Sequence, residues 1–386
     1  MSSRRGVIAG LAGAAAVAAG GGWWWRHRIA GPIRIGVGQP LSGPLAPLGQ
    51  DLLRGAQMAV ADVNQAGGVR VGGEGVPLAI VSADDKADAE AGKAAANLLV
   101  AADPVAVIAH LNSGVSIATA PIYAAAGIPQ LAISTKPDYT RLGLPTTLRL
   151  VANDDQQSRA LGSLATQIPG VRKMAVVDDN TPYGKGLAES AAQVLSNLGR
   201  PAALRRSFDS KTTEFGELVS QMAAAGIDTL VTTLSDFQVL AFAEQAARAG
   251  LRDVTLVGGD TIKTDALKQH PTALRGVYAT SSIVEPKEFG ASGRAFVDRY
   301  RAAYGGEPVY GAHYAYDAVC CVADALSRVG TLDRARLLHV LKSFDGNCPV
   351  TNGIRFDENG EQHYAAVAAY HLRAGQWELM MRSDRW

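Results

Sequence analysis

Cysteine is scarce in this chain, with three residues, Cys320, Cys321 and Cys348. None has the CxxC spacing of a zinc or redox motif. The seven histidines are scattered, and no HExxH pair lies on a helix pattern, so no metal site is expected and no cofactor is implied. A charge excess is missing as well. The formal net charge is +1, and no basic tract interrupts the body of the chain, which speaks against a nucleic-acid partner. There is no GxSxG, and no Ser/His/Asp order with supporting context. GVGQPLSG (36–43) opens like a dinucleotide fingerprint but does not meet GxGxxG, and Pro40 interrupts the expected helix start. The chain is therefore not expected to be an enzyme. What is present is 386 residues, 47% of them apolar, enough for two units rather than one core.

The N-terminus is set apart. MSSRRGVIAGLAGAAAVAAGGGWWWRHRIAG (1–31) begins with Arg4 and Arg5 and continues in an uncharged stretch rich in Ala and Gly. A basic segment before an apolar one reads as an export signal. Ser3-Arg4-Arg5 weakly resembles a twin-arginine signal, and Ala16-Val17-Ala18 offers a small-residue cleavage site. With no cysteine there, a lipoprotein anchor is not expected. The rival reading is a retained membrane anchor, with Trp23, Trp24 and Trp25 at the interface. Either reading places the body of the protein outside the cytoplasm.

From residue 33 onward, short apolar runs alternate with helical patterns. IRIGVGQP (33–40), VPLAIVSADD (76–85), PVAVIAH (104–110) and PQLAIS (129–134) read as strands. GQDLLRGAQMAVADVNQAGG (49–68), ADAEAGKAAANLLVAAD (87–103) and VSIATAPIYAAAG (115–127) read as the helices between them. The rhythm resumes at RKMAVVDD (172–179) and continues to VTLVGGD (254–260). Strands alternating with helices predict βαβ units and parallel sheets. There are too many units for one sheet of usual size, so the expected fold is α/β with two doubly wound parallel sheets. Ligands of such sheets bind at the carboxyl ends of the strands. Two sheets that face each other place those loops across a cleft. The stretch 106–135 fits this picture, because both of its apolar runs stop at small hydroxyl residues, in HLNSGVS and in ST.

IRIGVGQPLSGPLAPLGQDLLRGAQMAVADVNQAGGV (33–69) resembles the opening of the periplasmic leucine/isoleucine/valine-binding proteins, which serve ABC importers of branched-chain amino acids. HLNSGVS (110–116), STKPDYT (134–140), VVDDNTPYGKGLAE (176–189), AFAEQAARAGL (241–251), VYGAHYAYDAV (309–319) and GIRFDENGE (353–361) continue the likeness in the same order. The resemblance runs over roughly residues 33–375. It implies the type I periplasmic-binding fold, with two lobes joined by crossovers near 151–154, 281–285 and 345–353. Residues 32–152 and 284–345 then form lobe 1, and 153–283 and 346–386 form lobe 2. The implied protein is a periplasmic monomer that closes on an amino acid by a hinge motion and delivers it to a membrane permease. A relative that binds amides or urea, and a ligand-sensing module, are the alternatives.

An amino-acid ligand is a zwitterion and needs two opposite chemistries. Its carboxylate suits a helix N-terminus, which offers free amides and the positive end of the dipole. Ser113 and Gly114 stand where the third strand gives way to a helix; Ser113 reads either as a ligand contact or as the N-cap. The resemblance assigns Ser113 to the ligand carboxylate and Thr135 to both ligand ends, with backbone contacts from Ile133 and Ser134. The ammonium needs an acid. Asp260 follows two glycines at a strand's carboxyl end, where it reads either as that acid, wet in an open cleft, or as the cap of a following helix. The family's usual residue there is glutamate. Tyr183 matches a tyrosine that closes over the ligand from the second lobe. Asp236, with Phe237, follows another strand and is assigned to the same lobe's lining. Leu48 stands where relatives often carry an aromatic. The family's first-lobe cysteine pair is absent, its positions reading DDKADA and HLNSG. Cys348 either bridges to Cys320 or Cys321, or all three are buried thiols.

Overall fold

The first apolar run forms β1 (Ile33–Gln39), buried on both faces except at Arg34, as expected of a central parallel strand. This computed structural model describes residues 31–269, 274–346 and 348–385. Alternation then continues through α1 (Ala46–Gln65), β2 (Leu78–Asp84), α2 (Ala89–Ala101), β3 (Ala106–Ala109), α3 (Ser113–Ala125), β4 (Gln130–Ala132) and β5 (Thr147–Arg149). The five strands lie in the order β2-β1-β3-β4-β5, all parallel.

After α4 (Asp154–Gln167) a second run begins, with β6 (Met174–Asp178), α5 (Pro182–Asn197), β7 (Leu204–Ser207), α6 (Gly216–Ala225), β8 (Thr229–Thr232), α7 (Asp236–Arg248), β9 (Thr255–Gly258) and β10 (Gly276–Ser281). Three helices follow, α8 (Ala291–Tyr304), α9 (Ala312–Val329) and α10 (Arg334–Lys342), and then a hairpin, β11 (Ala368–Arg373) and β12 (Gln376–Arg382). The second sheet has the order β12-β11-β10-β9-β8-β6-β7. Its first five strands repeat the order of the first sheet, and β11 and β12 add an antiparallel edge. The fold is the mixed α/β, doubly wound type that the alternation predicts.

Helix starts follow local chemistry. Asp88, Asn153 and Thr181 accept from first-turn amides of α2, α4 and α5, and Ser235 with Gln238 closes a capping box on α7. Two main cores result. The first joins Ile35, Leu52 and Ile108 to Phe296, Val319 and Leu337. The second joins Val177, Leu230 and Phe242 to Leu256 and Tyr370. The chain's last return to the second sheet lies later than a boundary at 345. Cys348, Val350, Ile354 and Phe356 still pack in the first core, because Asp317 of α9 accepts from the amides of Val350 and Thr351 at 3.0 and 2.7 Å. Only near Ala366 does the chain join the second core.

Cys320, Cys321 and Cys348 are free thiols, so no bridge to Cys348 forms. No helix among the described residues is long and apolar enough to cross a membrane. The segment 1–30, where the export signal or anchor is expected, lies outside the described residues.

Candidate ligand site

Asp260 comes two residues after β9, at the start of a single 3-10 turn, Asp260–Ile262. It does not cap a helix. Its Oδ1 accepts from the Ser281 hydroxyl and the Ser282 amide, both at 2.7 Å, at the end of neighbouring β10. Its Oδ2 lies 3.3 Å from the Tyr183 hydroxyl, and the Asp260 amide donates to that same oxygen at 3.1 Å. Far from being wet, Asp260 is 4% exposed. Burial raises its carboxyl above the usual range, and the Ser281 and Ser282 donors pull it partly back. Tyr183 sits in the first turn of α5, and its phenol is raised by burial and by the charges of Asp260 and Asp154. A side chain at Gly259 would strike the Tyr183 hydroxyl, at 2.5 Å from its Cβ. The glycine of GGD is what lets the phenol reach the acid.

In the first unit, α3 begins at Ser113, two residues earlier than the sequence pattern suggests. Its cap position is Asn112, which makes no side-chain capping bond, so Ser113 is not the N-cap. Asn112 Oδ1 is buried without a partner. Ser113 is buried, and its hydroxyl oxygen accepts from the Lys136 amide at 3.2 Å, leaving its proton to donate. Gly114 lies against the other unit, where a Cβ would come within 3.0 Å of Pro182 Cγ at the start of α5. The two units therefore touch beside this helix end.

The loop after β4 forms the floor. Ile133 packs its side chain into the first core, so only its backbone is free to act in the site. Ser134 Oγ is buried without a partner, and the Ser134 carbonyl accepts from Arg149. Thr135 is buried, and its carbonyl accepts from the Asp154 amide at 2.9 Å. Arg149, fully buried on β5, holds this loop in place. Its guanidinium bonds Glu361 at 2.9 Å and the Lys136 carbonyl at 2.8 Å.

The structure adds residues that the sequence pattern does not single out. Asp154, the first residue of α4, is 2% exposed, and neither of its carboxylate oxygens has a hydrogen-bond partner. Burial pushes its carboxyl up to about 7; Thr135 offsets part of that and the charge of Asp260 adds to it. Gln157, one turn on, donates to the Thr280 carbonyl at 3.1 Å and helps hold Asp260. Tyr310 feels both acids. It is brought there by Asp51 of α1, a buried carboxylate that accepts from the amides of Val309, Tyr310 and Ala312 at 2.8–3.0 Å. A cavity of about 300 Å³ opens beside Tyr310, also lined by Lys263, Glu285, Arg294 and Trp377.

The two remaining expected residues stand at helix starts. Asp236 spends its Oδ1 on the Phe237 amide at 2.7 Å in the first turn of α7. Leu48 is half-buried in the first turn of α1. Among the described residues no cluster of three or more His, Cys, Asp or Glu side chains could hold a metal.

Two sheets of like strand order meet where Gly114 approaches Pro182, and Asp154 links the loop after β4 to the charge of the buried Asp260. Residues 32–376 match the family model described as periplasmic binding protein, and the chain belongs to that family. It is 29% identical over 347 residues to the Leu/Ile/Val-binding protein homolog 1 of Brucella abortus, covering 89% of this chain and 91% of the relative. An ABC transporter substrate-binding protein of Desulfitobacterium hafniense, solved in complex with Leu, superposes with a TM-score of 0.74 at 28% identity, covering 90% of this chain and all of that one. A solute-binding protein of R. palustris, solved in complex with benzoate, reaches a TM-score of 0.79 at 20% identity, over 91% and 96% of the two chains; that likeness concerns the fold alone. The family is one of periplasmic solute-binding proteins, not of enzymes.

Proposed function

We propose that this protein captures an amino acid, branched-chain or related, between its two units and delivers it to the permease of an ABC importer. The carrying observation is the uncapped start of α3 at Ser113, which touches the start of α5 through Gly114 and Pro182, the helix that carries Tyr183 to the buried Asp260. The helix end suits the ligand's carboxylate, through free amides, the dipole and the Ser113 hydroxyl. Asp260 suits its ammonium. Leucine in the Desulfitobacterium hafniense protein supports this reading. In this account the units are the lobes of a hinge and close over the ligand as a monomer, and residues 1–31 direct export.

Melting the purified protein with a panel of amino acids, amides, urea and aromatic acids tests the proposal. A true ligand at a hundred times its dissociation constant stabilises by about 2.7 kcal/mol. Stabilisation by an aliphatic amino acid supports the reading. Stabilisation by amides or urea alone moves the protein to the amide-binding relatives, and stabilisation by benzoate alone overturns the zwitterion site.

A further inference from the structure

Among the described residues around the site, Asp154 is the carboxylate with both oxygens buried and without a hydrogen-bond partner. Its helix does not need it, because Asn153 accepts from the amides of Asp155 and Gln156. Its position is fixed, since its own amide donates to the Thr135 carbonyl. Yet both carboxylate oxygens are buried without a partner, which is costly for a charged group. The charged and titratable groups around it are Asp260, Tyr183, Tyr310, Arg149 and Lys136. The guanidinium of Arg149 is taken up by Glu361, Thr140 and two carbonyls. The Lys136 ammonium lies 3.4 Å from Asp138. The phenols are raised and stay neutral. From the protein only the Thr135 hydroxyl acts on the Asp154 carboxylate as a donor, which leaves most of its accepting capacity open, and a second carboxylate, Asp260, stands within electrostatic reach.

We propose that Asp154 contacts the ligand, forming with Asp260 a two-carboxylate cage for one cationic nitrogen, so that the site takes ligands bearing an ammonium and rejects carboxylic acids that lack one. An ammonium has three N–H donors, enough to serve both acids and one hydroxyl. The inference rests on the amino-acid reading and adds a selectivity rule to it. It also implies a proton balance. Without ligand, Asp154 carries a proton for part of the time near neutrality; the arriving ammonium displaces that proton to solvent. Affinity then rises with pH through about 7 and levels off above it, by about tenfold between pH 6 and pH 8 for one linked proton.

The test is titration calorimetry of wild type and Asp154→Asn with leucine and with 4-methylpentanoate, the same skeleton without the ammonium, at pH 6 and pH 8. Buffers of different ionisation enthalpy report proton release. Wild type is expected to bind leucine with the tenfold pH dependence and release a proton, and to bind 4-methylpentanoate at least a hundredfold more weakly. Asp154→Asn is expected to lose at least tenfold for leucine, to lose the pH dependence, and to narrow the gap to 4-methylpentanoate. Its ligand-free melting temperature at pH 8 is expected to hold or rise, since a buried bare charge is gone, which separates lost contact from lost fold. Equal leucine affinity and pH dependence in the two proteins overturns the cage while leaving the amino-acid reading intact. If leucine does not bind, the strongest binder of the melting panel takes its place. A cationic binder without an α-carboxylate that shows the Asp154 effects keeps the cage and ends the amino-acid reading, and a simple carboxylate as the best binder ends both.

Discussion

Hydrogen bonds divide the two oxygens of Asp260. Oδ1 takes two short bonds from Ser281 and Ser282, whereas Oδ2 has the Tyr183 hydroxyl at 3.3 Å, so Oδ2 is the atom left to accept strongly from a ligand. Asp260→Asn keeps the shape and removes the charge. Hydrogen bonds to charged groups contribute about 1.5–3 kcal/mol, so affinity for an amino acid is expected to fall by about ten- to more than a hundredfold in calorimetry. An unchanged affinity would place the ammonium elsewhere. Asp260 was legible in the sequence because VTLVGGD ends a strand on an acid, and strand ends face ligands in such sheets. Asp154 was not. In NDDQQ an acid after Asn153 reads as an ordinary helix start, with charges that suit the dipole. Its burial, with neither carboxylate oxygen bonded to a first-turn amide, shows that the side chain is turned away from that role. Arg149 and Asp51 were hidden because each is tied to a partner 200 or more residues distant, Glu361 for Arg149 and the 309–312 loop for Asp51, which local pattern cannot reveal.

At the scale of elements, the start of α3 and the start of α5 meet where Gly114 faces Pro182. Glycine is needed there for closeness between the units. Gly114→Leu puts a side chain into that contact. Overpacking costs about 1–3 kcal/mol, so ligand affinity is expected to fall by about five- to more than a hundredfold, while the ligand-free melting temperature barely moves. Wild-type affinity in this variant would show that the contact does not form part of the bound state. A second element-scale feature answers the missing cysteine pair. Where the resembling family bridges the DDKADA and HLNSG positions, Asp85 and His110 stand 2.7 Å apart and are both fully buried, and His110 reaches the Tyr123 hydroxyl at 3.2 Å on its other nitrogen. The pair ties the end of β2 to the end of β3 without a covalent bond. Leaving one partner bare costs about 1–3 kcal/mol. His110→Ala and Asp85→Ala are each expected to lower stability by that much in urea unfolding, with a double variant less destabilised than the sum. Full additivity would show that the two side chains act independently. The loop contacts behind this pair could not be read from spacing, although the departure from cysteine was visible.

Over the whole molecule, the alternation of strand and helix carried the architecture, because a parallel strand buried on both faces and a helix stripe leave distinct apolar periods. The strand order of the two sheets, each running the same way through its first five strands, is a consequence of that repeated unit. The last passage between the units was harder to place. Residues 348–366 contain little regular structure, and their membership is decided by side chains such as Val350 and Phe356 entering the first core. The central claim is that an amino acid is held between the two units and draws them together. Small-angle scattering on the purified protein, with and without saturating leucine or the strongest amino acid of the melting panel, tests it most directly. A smaller radius of gyration and a shorter maximum dimension are expected when ligand is bound. A ligand that saturates the protein and leaves both dimensions unchanged would contradict the claim.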